Sequence, residues 1–130
     1  MYTVKETAEK LNMSEHTIRY YTDCDLIPTL ERGENNQRLF NEKSINWLIG
    51  IQHLKACGMT IKDIKNYVSL SLQGDSTIEE RYDIYRNLQE VAKVQLEEAQ
   101  KRVEFLDYKV NLYEDIMADK VSDPTNPSTW

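Results

Sequence analysis

Apolar residues near the start of the chain recur at helical spacing, with Val4, Ala8 and Leu11 at i, i+4 and i+7. Thr3-x-x-Glu6 precedes them as a capping box, in which a hydroxyl and a carboxylate satisfy the unpaired N–H groups of a helix start. Asn12, a residue that tolerates left-handed backbone, marks a sharp turn. Ser14 then caps a second helix that runs to about Asp23, with Met13 and Ile18 at the spacing of a hydrophobic staple. Two short helices on a tight turn predict a helix-turn-helix. Leu26-Ile27-Pro28 breaks the pattern, and Leu30 to Phe40 reads as a small hairpin around Gly33-Glu34-Asn35-Asn36. Asn41 caps a third helix carrying Ile45, Trp47, Leu48, Ile49, Ile51 and Leu54, a face wide enough to be largely buried. Gly58 closes that helix. Thr60-x-x-Asp63 opens a fourth, with Ile61, Ile64, Tyr67 and Val68 as its apolar residues.

The most regular signal lies further on. Positions 78, 82, 85, 89, 92, 96, 99, 103, 106, 110, 113 and 117 alternate steps of four and three, and all but Gln89 are apolar. Ile78, Tyr82, Tyr85, Ala92, Leu96, Ala99, Val103, Leu106, Val110, Tyr113 and Met117 form a seam between Glu, Lys, Arg and Gln faces. No Pro or Gly interrupts it, so a coiled-coil helix of about 60 Å is expected at 1.5 Å per residue. A seam of this kind needs a partner, and a second copy is the simplest one. The seam alone leaves its direction open. The expected organisation is a winged helix-turn-helix head over 1–72, a hinge at 73–76 before a Thr77-x-x-Glu80 capping box, a dimerising helix over 77–118, and a flexible tail over 119–130. The fold class is mainly α.

Charge alters this picture only in its distribution. The net charge of −6 looks unsuited to nucleic acid, but residues 1–70 carry nine basic and nine acidic side chains. The whole excess of acid lies beyond them. A neutral head has to bind through a few placed cations rather than a broad basic field. No apolar run approaches the length of a membrane span. Cys24 and Cys57 give no disulfide framework, so a reducing cytoplasm is expected.

The second helix has the chemistry of a recognition element. Glu15, His16 and Arg19 lie at i, i+1 and i+4 and project polar groups from one side, while Ile18 and Tyr21 anchor the other side. Arginine bridges guanine or clamps phosphate, and the Tyr20 hydroxyl has the reach to donate to a phosphate oxygen. Arg32 and Arg38 on the hairpin flank this helix as a wing. The expected partner is double-stranded DNA. No nucleophile–base set or phosphate loop is visible, which argues against an enzyme. His53 and Cys57 share a helix face and form a candidate sensing pair, but two ligands fall short of a zinc site. No metal or other cofactor is expected. Cys57 reads first as a small buried hydrophobe.

At these residues the sequence resembles the MerR family of bacterial transcription regulators. The resemblance runs through Tyr2-Thr3-Val4, Ser14-x-x-Thr17-Ile18-Arg19-Tyr20-Tyr21, Asn35-Asn36-Gln37-Arg38-Leu39-Phe40 and Gly58-Met59-Thr60-Ile61-x-x-Ile64. It implies that Ser14, His16, Thr17, Arg19 and Tyr20 occupy recognition-helix positions, and Arg38 and Phe40 wing positions. It also implies a homodimer through antiparallel helices, joined across Tyr85, Ala92, Leu96, Ala99, Val103, Leu106 and Val110. Such a dimer twists promoter DNA whose spacer is too long, so RNA polymerase is a partner only through the shared promoter. Leu72-Gln73-Gly74-Asp75-x-Thr77-Ile78-x-x-Arg81 is similar to the branch that responds to aldehydes and reactive nitrogen species. That branch's reactive cysteine falls at His53 here. The competing expectation is an effector-independent DNA-binding repressor, or an architectural or coiled-coil adaptor protein.

Overall fold

The computed structural model describes residues 1–130, the side chain of Thr129 apart. In chain order the main elements are α1 (Val4–Leu11), α2 (Glu15–Asp23), β1 (Glu31–Arg32), β2 (Arg38–Leu39), α3 (Glu42–Ala56), α4 (Ile61–Gln73) and α5 (Ile78–Met117). The chain divides into two compact units, Met1–Arg86 and Asn87–Trp130.

Local chemistry fixes the helix starts of the first unit. The Thr3 hydroxyl accepts the Glu6 N–H at 3.2 Å while the Glu6 carboxylate accepts the Thr3 N–H at 2.9 Å. The two hydrogen bonds to Thr3 hold the Glu6 carboxyl below its ordinary range. Ser14, Asn41 and Thr60 cap α2, α3 and α4 in the same sense, each accepting an N–H three residues on. Asn12 takes the left-handed conformation (φ 53°) between α1 and α2, and Gly58 does so after α3 (φ 91°).

The wing is a short antiparallel ladder pairing Glu31 with Leu39 and Arg32 with Arg38. Its turn is carried by Asn35 and Asn36, both left-handed. The N-terminus extends the ladder, since Tyr2 and Phe40 exchange both backbone hydrogen bonds at 2.8 Å. This pairing carries Phe40 into the core beside Ile18, Leu26, Leu48 and Ile64, all fully enclosed. Burial of these side chains is the main stabilising contribution to the head.

The first unit reaches past residue 72 and takes in residues 73–76 and the first turns of α5. The Thr77 hydroxyl lies 2.6 Å from the Leu70 carbonyl and 2.9 Å from that of Gly74. Arg81 then closes over the same turn, donating to Thr77 Oγ1 and to the Gly74 carbonyl, both at 3.0 Å. Thr77 is therefore spent on α4 and its following 3-10 turn, and the hydroxyl cap expected on Glu80 does not form. Tyr85 stands edge-on to Tyr67, with ring centroids 5.5 Å apart. Burial, with a smaller effect from Tyr67, pushes the Tyr85 phenol up to about 12.

The second unit holds the rest of α5 and a C-terminal segment drawn into turns. Thr125 shares a 3.0 Å hydroxyl contact with Tyr113, and the Trp130 indole donates to the Pro124 carbonyl at 3.1 Å. No residue of α5 is buried within the chain. No helix among the described residues is long and apolar enough to cross a membrane.

Candidate nucleic-acid interface

α2 is held by one face and offers the other. Ile18 and Tyr21 sit in the core, whereas Glu15, His16, Arg19 and Tyr20 are exposed. Ser14 and Thr17 pair their hydroxyls at 2.7 Å at the helix start. Hydrogen bonding to Cys24 raises the Tyr20 phenol above its ordinary value. It therefore stays protonated near neutral pH, and an exposed phenol of this kind can donate to a phosphate oxygen.

The two key arginines are already engaged. Arg19 reaches back one turn to Glu15 at 3.2 Å, with both side chains about half exposed, a surface pair worth little. Arg38 is half-buried and holds the wing to α2. Its Nε donates to Thr22 Oγ1 at 2.9 Å and one terminal nitrogen pairs with Asp23 at 2.8 Å. The Thr22 hydroxyl in turn donates to the Arg19 carbonyl at 2.8 Å. Arg38 thus fixes the angle of the wing against the helix whose side chains project outward. Arg32 lies at the exposed end of the wing, donating to the Asn36 carbonyl at 3.1 Å.

One expected contact is corrected by this geometry. The resemblance puts Phe40 among the wing residues that meet DNA, but it is fully buried. Its backbone pairs with Tyr2 and its ring fills the core, so no surface of it is available to a ligand. Two residues that the sequence reading did not count among the DNA-contacting ones join the site instead. Lys5 and Gln37 line a groove of about 290 Å3 together with Thr3, Glu15, Arg19 and Arg38. Their signal was present: Lys5 lies off the apolar stripe of α1, and Gln37 immediately precedes Arg38.

The His53–Cys57 pair lies elsewhere, at the end of α3. Both side chains are exposed, so Cys57 is not the buried hydrophobe expected of it. The physical reason is its position as the C-cap of α3, where its N–H donates to the His53 carbonyl and its side chain leaves the helix's packed face. Among the described residues no group of three or more His, Cys, Asp or Glu is arranged to hold a metal ion.

A helix-turn-helix braced by a two-stranded wing, with α3 and α4 packed behind it, defines a winged helix-turn-helix head. The family model of the MerR HTH family regulatory proteins matches residues 2–70. The chain belongs to that family. An HTH-type transcriptional regulator of Haemophilus influenzae is 37% identical over 113 residues, covering 87% of this chain and 84% of its own. Among solved structures, HiNmlR, a MerR family regulator lacking the sensor domain and bound to promoter DNA, superposes with a TM-score of 0.80. It is 37% identical, over 90% of this chain and 93% of that one. A MerR family transcriptional regulator of Listeria monocytogenes also gives a TM-score of 0.80, at 27% identity over 92% and 90% of the two chains. The chain is accordingly a MerR-family transcriptional regulator, and the relatives it matches are regulators rather than enzymes.

Proposed function

We propose that this regulator binds double-stranded promoter DNA as a homodimer and controls transcription by distorting the promoter spacer. The observation that supports it most is the exposed polar face of α2, braced by the wing and set on a fold similar to one solved on promoter DNA. Ser14, His16, Thr17, Arg19 and Tyr20 enter the major groove in this reading. Arg32 and Arg38 follow the phosphate backbone from the wing, and Lys5 with Gln37 lines the groove between them. Arg38 serves twice, as wing brace and as phosphate donor, because its fork has more N–H groups than Asp23 and Thr22 occupy. Two heads on one dimer require an inverted repeat, and RNA polymerase is met through the same promoter. The compartment in which such a regulator works is the bacterial cytoplasm.

Selection of sites from a random duplex library, followed by affinity measurements across a salt series, tests the reading. An inverted repeat bound with steep salt dependence is expected. Arg19→Ala should lower affinity for that site by roughly tenfold to a hundredfold, the value of one good base contact, while leaving non-specific binding nearly intact. Recovery of no shared sequence, or full specific affinity in Arg19→Ala, would overturn the assignment.

A further inference from the structure

The seam does not use up the apolar side chains of α5. A second row, Val91, Val94, Glu98, Lys101, Phe105 and Tyr108, also alternates steps of three and four. It lies about half a turn around the helix from Leu96 and Ala99, so it faces outward when the seam is closed on a second copy. Its four apolar members are 52–62% exposed, and the seam pattern accounts for none of them. Val91 and Val94 border a groove of about 410 Å3 shared with Glu90, Gln95 and Glu98. Phe105 and Tyr108 stand about three turns further on.

The row is its own complement when reversed. In an antiparallel pair with its two-fold axis between residues 99 and 100, Tyr108 falls opposite Val91, Phe105 opposite Val94 and Lys101 opposite Glu98. Each ring then meets the groove beside the valines, and each charge at the centre meets its opposite. Glu98 and Lys101 are both exposed and form no ion pair among the described residues, so neither gives up a partner to make this contact. A parallel pair would set Glu98 on Glu98, Lys101 on Lys101 and ring on ring, with the valine groove unfilled. We propose that this row is a second self-association face, on which the long helix of another dimer lies antiparallel. The inference rests on the homodimer reading only for the unit being joined. The face spans about 26 Å of helix, and Glu90, Glu97 and Glu104 run beside it, so this attachment is weaker than that of the longer seam. Each dimer carries one such face on either side, so the association is open-ended and dimers line up side by side.

Sedimentation of the full-length chain across a concentration series, under reducing conditions, tests this face. The weight-average mass of the wild type should climb beyond the dimer as concentration rises. Val94→Lys combined with Phe105→Lys should stop at the dimer, with the dissociation constant between dimers raised by roughly tenfold or more, because pairing would bury ammonium groups. Lysine suits an exposed helix position, so this variant should keep the wild-type thermal transition. A wild type that remains a dimer at every concentration would overturn the second face and leave the homodimer standing. Conversion of the double variant to monomers would overturn it by making this row the dimer seam itself, and a monomeric wild type would sink both readings. The charged centre tests the register. Glu98→Lys alone and Lys101→Glu alone should each stop at the dimer, whereas an equal mixture of the two should regain the higher mass. Unchanged association in Glu98→Lys, which a parallel pairing would allow, or no recovery in the mixture, would refute the proposal.

Discussion

In the head, Ile18, Leu26, Phe40 and Leu48 are completely enclosed, whereas along α5 no residue is buried and Leu96 stays 70% exposed. The two regions are both rich in apolar side chains but use them differently. Those of the head are satisfied within one chain and stabilise it alone. Beyond the first turns of α5, where Tyr85 meets Tyr67, those of the long helix stay largely exposed in the single chain. In the proposed homodimer one region serves folding and the other association, and the first compact unit ends within α5 at Arg86 rather than at the helix start. Substitutions on either side of that point should separate stability from assembly.

The largest effect is expected in the head. Phe40→Ala removes a fully enclosed ring at the end of the wing, and large-to-small changes of this kind cost about 3–5 kcal/mol. That is much of the stability of a domain this size. Denaturant unfolding should show it at any protein concentration. A loss under about 1 kcal/mol would mean that the wing end is not part of the core.

A different response is expected from Leu96→Glu combined with Leu106→Glu. Both positions are exposed in the single chain, so the head should keep its near-native thermal transition at low concentration. Dimerisation should weaken at least a hundredfold, which is about 2.8 kcal/mol. Sedimentation would detect it, and a dimer of unchanged affinity would sink the seam.

Local features of this comparison were legible in the sequence. Thr3, Ser14, Asn41 and Thr60 cap the helices they precede because a cap is decided within four residues. The period of the seam was equally plain, since it depends on spacing alone. What was hidden depends on distant pairings. Phe40 looked like a wing-surface residue because its burial follows from backbone exchange with Tyr2. Nothing near Arg38 in sequence announces that it is tied to Asp23 and Thr22. Thr77 has the spacing of a capping box, but the Leu70 carbonyl claims its hydroxyl. Cys57 has a helical neighbourhood that reads as apolar, yet it stands just past the last packed turn.

The capping contrast supplies the smallest and most discriminating test. Thr60 and Thr77 both precede helices with an acidic residue three positions on, and the sequence treats them alike. Only Thr60 accepts the N–H of its N3 residue, Asp63, at 3.1 Å, and it is exposed. Thr60→Ala should therefore cost about 1 kcal/mol, the ordinary value of a lost N-cap. Restoring the hydrogen-bonding group with Thr60→Ser or Thr60→Asp should recover most of it. At Thr77 the hydroxyl sits in a closed turn with its methyl group buried, so Thr77→Ser should keep the hydrogen bonds and lose only packing, while Thr77→Asp places a carboxylate against two carbonyl oxygens. The two threonines should thus rank the same substitutions in opposite order: aspartate is tolerated at Thr60 and damaging at Thr77. Thermal denaturation of the Asp variants side by side reads this directly, and equal tolerance at the two positions would mean that Thr77 is an ordinary helix cap after all.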